Sequence, residues 1–321
     1  MKPIRPCIFN GSAEKLPNPF LPLEDGLRLI SFLVQTARNF PSLLLAFSAK
    51  KGARSASWEI AEFFAQLGLN VFISKNPVPI SALSLSLIKR NIPMGVYIDC
   101  DKNDNWTIFP IGVNGGPALI SSDNTYPLIE KLPFSGVVGE TDLIEVYVKS
   151  LECLTDLSYI TESYIKELVF PFSAVMEKIK ENVCFKNLSS DNLKGMTAIV
   201  SNDGQILELF LPNGEKVSDE TIIKVLANYL IGVRESRGTV FISSKNSEDI
   251  KFNGLSIKNA EIQRVGDDTV ELAHRSGYSD LLIGCCPPGH FIHQGHTPFG
   301  DGLLTLFYLL EAWDWEESNL P

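Results

Sequence analysis

Of the seven residues from position 99 to 105, six are polar or charged: Asp99, Asp101, Lys102, Asn103, Asp104 and Asn105, with Cys100 among them. They follow a short, apolar, β-branched run that predicts a buried strand over 94–99. A loop at the carboxyl end of a parallel strand is where open α/β sheets place their ligands. Carboxylates in such a loop can do two kinds of chemistry. Asp101 can accept a phosphoryl group as an acyl phosphate. Asp99, Asp101 and Asn103 also have the spacing of the first three ligands of an EF-hand loop. That loop needs Gly at its sixth position and Glu at its twelfth, where Asp104 and Pro110 stand, which argues against calcium. A solvated surface turn is the plain alternative.

A second constellation lies near the carboxyl end. Cys285, Cys286, His290, His293 and His296 fall within twelve residues and are zinc-ligand types. Residues 289–293 read as a strand, so His290 and His293 point to opposite faces. That argues against one shared ion and leaves zinc open. A third stretch, Ser201-Asn202-Asp203-Gly204-Gln205-Ile206, joins two apolar runs as a β-hairpin with an Asp-Gly turn.

The elements that must position these residues follow from periodicity. Strands are predicted at 7–9, 43–47, 70–73 and 94–99, with helices at 23–40, 55–67 and 80–89. This β-α-β-α-β succession implies a sheet covered on both faces. Residues 106–113 read as an edge strand, ended by the turn signal Asn114-Gly115-Gly116-Pro117. Residues 147–187 read as mostly helical. Beyond them come strands at 197–200, 207–211 and 238–243, a helix at 218–231, and a helix opened by Gly300-Asp301-Gly302 and running through Trp313.

The 321 residues suffice for two or three domains. A net charge of −10 excludes a nucleic-acid or anionic-membrane surface as the expected partner. Six scattered cysteines form no disulfide framework. The first residues lack the apolar core of a signal peptide, and no apolar run reaches membrane-spanning length. The expected location is the cytoplasm.

The 95–117 stretch resembles the phosphoserine loop of the phosphoglucomutase/phosphomannomutase family, the α-D-phosphohexomutases. That family shows Gly-x-x-Ile-Thr-Ala-Ser-His-Asn-Pro and, further on, Gly-Gly-Pro. Gly95, Ile98, Asn103 and Gly115-Gly116-Pro117 match. Asp99 stands for Thr, Cys100 for Ala, Asp101 for the phosphorylated Ser and Lys102 for His. Phe9 and Ser12 match the family's opening motif, with Lys15 where Arg binds phosphate; Lys keeps the charge and loses the bidentate fork. The Asp-x-Arg-x-x-Ser element survives as Arg54 and Ser57, with Gly52 at the Asp position, and the Val-Pro-Thr-Pro-Ala segment as Val78-Pro79-Ile80-Ser81-Ala82. Anchored on Asn213-Gly214-Glu215, residues 201–206 fall on the metal loop Asp-Gly-Asp-Ala-Asp-Arg. Only Asp203 keeps its acid; Ser201, Gln205 and Ile206 replace the rest. At 284–290 the sugar-binding loop Gly-Gly-Glu-x-Ser-Gly-His keeps Gly284, Gly289 and His290, with Cys286 for Glu and Pro288 for Ser.

The resemblance implies an α/β protein with two phosphohexomutase-like α/β/α sheet domains and a shortened middle segment. Residues 1–145 would be domain one, 146–215 linker helices and a remnant of domain two, and 216–321 domain three. The fourth, phosphate-clamping domain would be absent. The implied function is that of a non-catalytic phosphohexomutase homologue binding a sugar phosphate or a protein partner. The alternatives are a divergent phosphosugar mutase or phosphotransferase with Asp101 as nucleophile, and a structural oligomer subunit. Catalytic positions would be Asp101, Lys102 and Asn103, and substrate-binding positions Lys15, Arg54, Gly289 and His290. No cofactor or metal is expected at the relic loop Ser201, Asp203 and Gln205; magnesium would serve only the enzymatic alternative. In place of a cation, Lys102 is expected to pair with Asp203 or Asp101, with Lys15 or Arg54 nearby.

Overall fold

The computed structural model describes residues 2–3, 7–9, 41–100, 106–120, 135–157, 165–182, 195–243, 260–276 and 280–318. The chain divides into two compact units, Met1–Val146 and Tyr147–Pro321.

Unit one holds a two-stranded sheet, β1 (Lys2–Pro3) with β7 (Leu119–Ile120), and a six-stranded sheet. The larger sheet contains β2 (Cys7–Phe9), β3 (Ser42–Phe47), β4 (Asn70–Ser74), β5 (Met94–Cys100), β6 (Trp106–Gly112) and β8 (Val138–Thr141), in the order β2-β6-β5-β3-β4-β8. β5, β3, β4 and β8 run parallel, whereas β6 is antiparallel to both β5 and β2. The expected edge strand at 106–113 is therefore an interior strand. Its apolar run reflects cover on both sides: Trp106, Ile108 and Ile111 are buried.

Helix α1 (Ala53–Gln66) lays Ala53, Ala56, Ile60, Ala61 and Phe64 on one face of this sheet, against Leu43, Leu45, Phe47, Val71, Ile73, Val96 and Ile98. Alternate side chains of a strand point to opposite faces. Leu44, Ala46 and Tyr97 therefore face the other layer, where α2 (Ile80–Arg90) packs. A Cβ on Gly95 would lie 2.6 Å from Leu87 Cδ1, so this glycine permits the close approach of α2. The Tyr97 hydroxyl donates to Val78 O at 2.9 Å, which satisfies the one polar atom it buries.

Unit two has two sheets. The first has the order β11-β10-β9, from β9 (Ile165–Val169), β10 (Met196–Val200) and β11 (Leu207–Phe210). The second has the order β13-β12-β14-β15, from β12 (Gly238–Ser243), β13 (Ala260–Val265), β14 (Leu281–Cys286) and β15 (His290–His293). Helices α3 (Ile144–Leu154) and α4 (Ser173–Asn182) flank β9 in sequence, with α5 (Asp219–Gly232), α6 (Thr269–Ser276) and α7 (Gly302–Ser318) following. The expectation of a mostly helical 147–187 is corrected by β9. Parallel pairing of Glu167, Leu168 and Val169 with β10 overrides the local helical pattern. Residues 302–312 of α7 are all buried, because the helix packs against β10, β11, β15 and α5. That placement suits a stretch apolar at every position but Thr305 and Glu311.

Candidate functional site

Asp101, Lys102, Asn103 and Lys15 lie outside the described residues, as does the expected helix at 23–40. The frame of their loop is described on both sides. Asp99 is the last polar residue of β5, and Cys100 behind it is buried. Asp99 Oδ2 pairs with Lys50 Nζ at 3.2 Å. Lys50 follows β3, which neighbours β5 in the sheet. The Lys50 backbone N–H donates to Ser48 Oγ, and Ser48 N–H donates to Ile98 O at 2.9 Å. The turn after β3 is thereby stitched to β5, and the lysine stem is fixed beside the aspartate. Asp99 Oδ1 is buried and has no hydrogen-bond partner among the described residues.

Arg54 sits in the first turn of α1, behind Gly52, whose φ of 91° requires the left-handed region. The guanidinium is largely exposed and lies 3.7 Å from Glu140 Oε1. Ser57 is fully buried and donates to Arg54 O, which is a role inside the helix.

In unit two, the hairpin β10–β11 carries the loop 201–206. Asp203 is its only acid, and both carboxylate oxygens are engaged. Oδ1 accepts from Ser201 Oγ at 2.5 Å and from Gln205 N at 3.1 Å; Oδ2 accepts from Gln205 Nε2 at 2.9 Å. Ser201 Oγ in turn accepts from Ile206 N at 3.0 Å. Asp203 is thus held by neutral donors of its own loop, while its expected partner Lys102 lies outside the described residues.

The same loop holds His290. Gln205 Nε2 is committed to Asp203, so Gln205 Oε1 faces the His290 ring nitrogen Nε2 at 3.1 Å as an acceptor. The Gly300 N–H also points at Nε2, at 3.3 Å, and Nδ1 is buried without a partner. Burial lowers the His290 pKa to about 4, with Asp203 opposing the shift, so the ring is neutral near pH 7. Gly289, at φ 63°, donates its N–H to Asp219 Oδ2, and its carbonyl accepts from Leu207 N. A Cβ there would stand 2.3 Å from Leu207 O. Gly302 N–H donates to Gly204 O at 2.8 Å. The two sequence-predicted residues Gly289 and His290 thus lie in the interior, where they join the β14–β15 turn to the 201–206 loop.

The zinc candidates diverge. His293 Nε2 meets Thr305 Oγ1 at 2.7 Å, and that hydroxyl donates to Asp301 O, so His293 is the donor. His296 Nε2 lies 2.9 Å from Asp301 Oδ2, and its Nδ1 faces Ser150 Oγ at 3.4 Å. Asp301 Oδ1 accepts from Tyr147 OH and from Leu304 N, which caps α7. Cys285 and Cys286 are buried in β14. Among the described residues no group of three or more His, Cys, Asp or Glu is placed to hold a metal ion.

The 201–206 loop does not fit magnesium. Magnesium takes carboxylates and water in octahedral geometry. Here Ser201, Asp203 and Gln205 offer one hydroxyl, one carboxylate and one amide. The carboxylate already accepts three hydrogen bonds, and the amide oxygen faces His290.

Sequence reasoning missed Lys50 and the Asp301 and Glu311 networks. Lys50 carried a signal: a buried apolar run breaks into Ser48 and Lys50, as the later strand breaks at Asp99. The buried Glu311 accepts from Thr155 Oγ1, Asp156 N, Tyr229 OH and Arg234 Nη2, from segments 77 to 156 residues away in sequence. No local pattern announces it. No helix among the described residues is long and apolar enough to cross a membrane.

No protein-family model and no curated protein matches the sequence. Solved structures do. A Thermus thermophilus protein assigned as a phosphomannomutase superposes with a TM-score of 0.71 at 16% identity, over 89% of this chain and 74% of that one. A phosphoglucomutase/phosphomannomutase family protein from Burkholderia thailandensis gives 0.70 at 12% identity, over 97% and 76%. The open form of pp63/parafusin, a phosphoglucomutase from Paramecium, gives 0.64 at 11% identity, over 100% and 74%. The chain has the phosphohexomutase-like α/β fold that its motifs anticipated.

Proposed function

We propose that this chain is a non-catalytic protein of phosphohexomutase fold that binds a sugar phosphate. The observation that carries the reading is the 201–206 loop. In a phosphohexomutase this segment would offer carboxylates to a divalent cation, which neutralises charge during phosphoryl transfer. Here its one carboxylate is bound by Ser201 and Gln205 and serves the interior of unit two. Asp101 at the phosphoserine position points the same way. So do Cys286 and Pro288 where sugar-gripping Glu and Ser would stand.

Support for a ligand comes from the other unit. The Lys50–Asp99 pair stands at the carboxyl ends of parallel strands, where open α/β sheets bind ligands. The purified chain is expected to convert none of glucose 1-phosphate, glucose 6-phosphate or mannose 1-phosphate, with or without magnesium, while at least one of them raises its melting temperature. Turnover in a coupled glucose 6-phosphate assay would overturn the first half. A melting temperature unmoved by all three would overturn the second.

A further inference from the structure

Unit two holds a cleft of about 570 Å³ where the end of α3, the last residue of α4 and Arg234, two residues beyond α5, come together with Glu311 of α7. Small-molecule sites run from about 300 to 1,000 Å³, so the cleft has the size of one. No residue matched to a phosphohexomutase motif lines it.

One cation of the cleft is held in place before any ligand arrives. The Arg234 guanidinium donates from Nε to Tyr229 OH at 3.2 Å, from Nη1 to Leu154 O at 2.6 Å and from Nη2 to Glu311 Oε2 at 2.6 Å. It also lies over the rings of Tyr229 and Tyr308, 5.6 and 5.0 Å from their centroids. A guanidinium has five N–H donors. Three are committed, and two have no acceptor among the described residues, on a side chain that lines the cleft and is one-third exposed. A donor group already fixed in this way loses little further freedom on binding.

The rest of the lining sets the charge of the ligand. Glu311 offsets Arg234, and Glu152 and Asp156 add two acids at exposed positions. Asn182 Nδ2 donates to Glu152 Oε1 at 2.6 Å, which fixes that carboxylate beside the end of α4. A simple anion would suit Arg234 and be repelled by the two acids. A simple cation would suit the acids and leave the Arg234 donors unused. Charge complementarity is met by a molecule with a carboxylate and two positive groups. We propose that the cleft binds a basic α-amino acid, its carboxylate on the two unused N–H groups of Arg234 and its ammonium and side-chain cation beside Glu152 and Asp156.

The test titrates the full chain with L-arginine and L-lysine, with agmatine and cadaverine (the same two molecules without their carboxylates), and with L-glutamate. Arginine or lysine is expected to bind the unmutated chain and to protect Cys153, an exposed thiol that lines the cleft, from an alkylating reagent, read at that residue by mass spectrometry. The decarboxylated counterpart of the amino acid that binds is expected to be weaker by about tenfold or more, the loss of a charge-assisted contact, and L-glutamate weaker by a similar factor. Glu152→Lys changes an exposed helical position and leaves the Arg234–Glu311 pair in place. It is expected to weaken the basic amino acid by about fivefold or more. The assignment falls if neither basic amino acid binds or if binding leaves Cys153 unprotected. It falls equally if the decarboxylated counterpart or L-glutamate binds within about twofold of the amino acid, or if Glu152→Lys leaves the affinity unchanged.

Discussion

Each unit presents an aspartate beside the end of a strand, and the two are held in opposite ways. Asp203 accepts three hydrogen bonds from two residues of its own loop, and through Gln205 and His290 it is tied to the β14–β15 turn. Asp99 accepts one, from a lysine brought from another strand, and keeps a buried oxygen without a partner. A fully satisfied polar network rigidifies the segment it occupies, while a partly satisfied one retains capacity for something else. The 201–206 loop serves the fold of unit two, and the end of β5 keeps a carboxylate oxygen without a hydrogen-bond partner.

The comparison breaks first at Gly289. Gly289→Ala would put a Cβ against Leu207 O in a backbone conformation that alanine resists. It should cost about 3 kcal/mol or more by chemical denaturation. A loss below about 1 kcal/mol would mean that the joint between the turn and the hairpin is loose.

Acid should then act on unit two. Burial lowers the pKa of His290 to about 4 and that of His293 to about 3, against about 6.5 unfolded. The unfolded chain takes up these protons first. Stability contributed by the neutral rings is therefore complete above about pH 6.5 and is lost as pH falls toward about 4. Each ring should contribute a slope of about 1.4 kcal/mol per pH unit within that window. His290→Gln should remove its share of the slope in a urea titration series. An unchanged slope would show that this ring is not buried neutral.

Asp203→Ala leaves Ser201 and Gln205 donating to nothing, at an expected cost of about 2 kcal/mol. Asp99→Asn should change ligand-free stability by less than about 1 kcal/mol, since one modest pair is lost and an unsatisfied charge is removed with it. Equal costs at the two aspartates would erase the contrast between them.

The smallest effect expected of wild type is with magnesium. Millimolar magnesium should leave its melting temperature unchanged. Ser201→Asp combined with Gln205→Asp should create a magnesium-dependent rise of several degrees, because binding to the folded state alone stabilises it. A magnesium-induced rise in wild type would show that the loop opens its hydrogen bonds to coordinate the cation.

Much of unit one was legible because its signals are local. The apolar runs of β3, β4 and β5 and the 3.6-residue pattern of α1 specify a covered parallel sheet, and Gly52, Gly95 and Gly115 mark places where backbone conformation or close packing excludes a side chain. The hairpin around Asp203-Gly204 and the helix beginning near Ser218 were equally plain. Where sequence reading failed, partners were distant. Residues 106–112 look like an edge until β2 is seen to pair on their far side. Residues 165–169 look helical until β10 recruits them.

The sequence by itself determined which residue types are present: an acid at 101 and 203, a glycine at 289, a histidine at 290, in the order of a known family. It could not determine what each one touches. Whether a carboxylate is available depends on which donors the fold brings within about 3 Å of it, and hydrogen bonds act only over that range. Ser201 and Gln205 close on Asp203 because a tight hairpin turns the chain there. Lys50 reaches Asp99, 49 residues away, because parallel pairing sets β3 beside β5 with both carboxyl ends together. The first contact is written in local spacing; the second exists only once the sheet has formed.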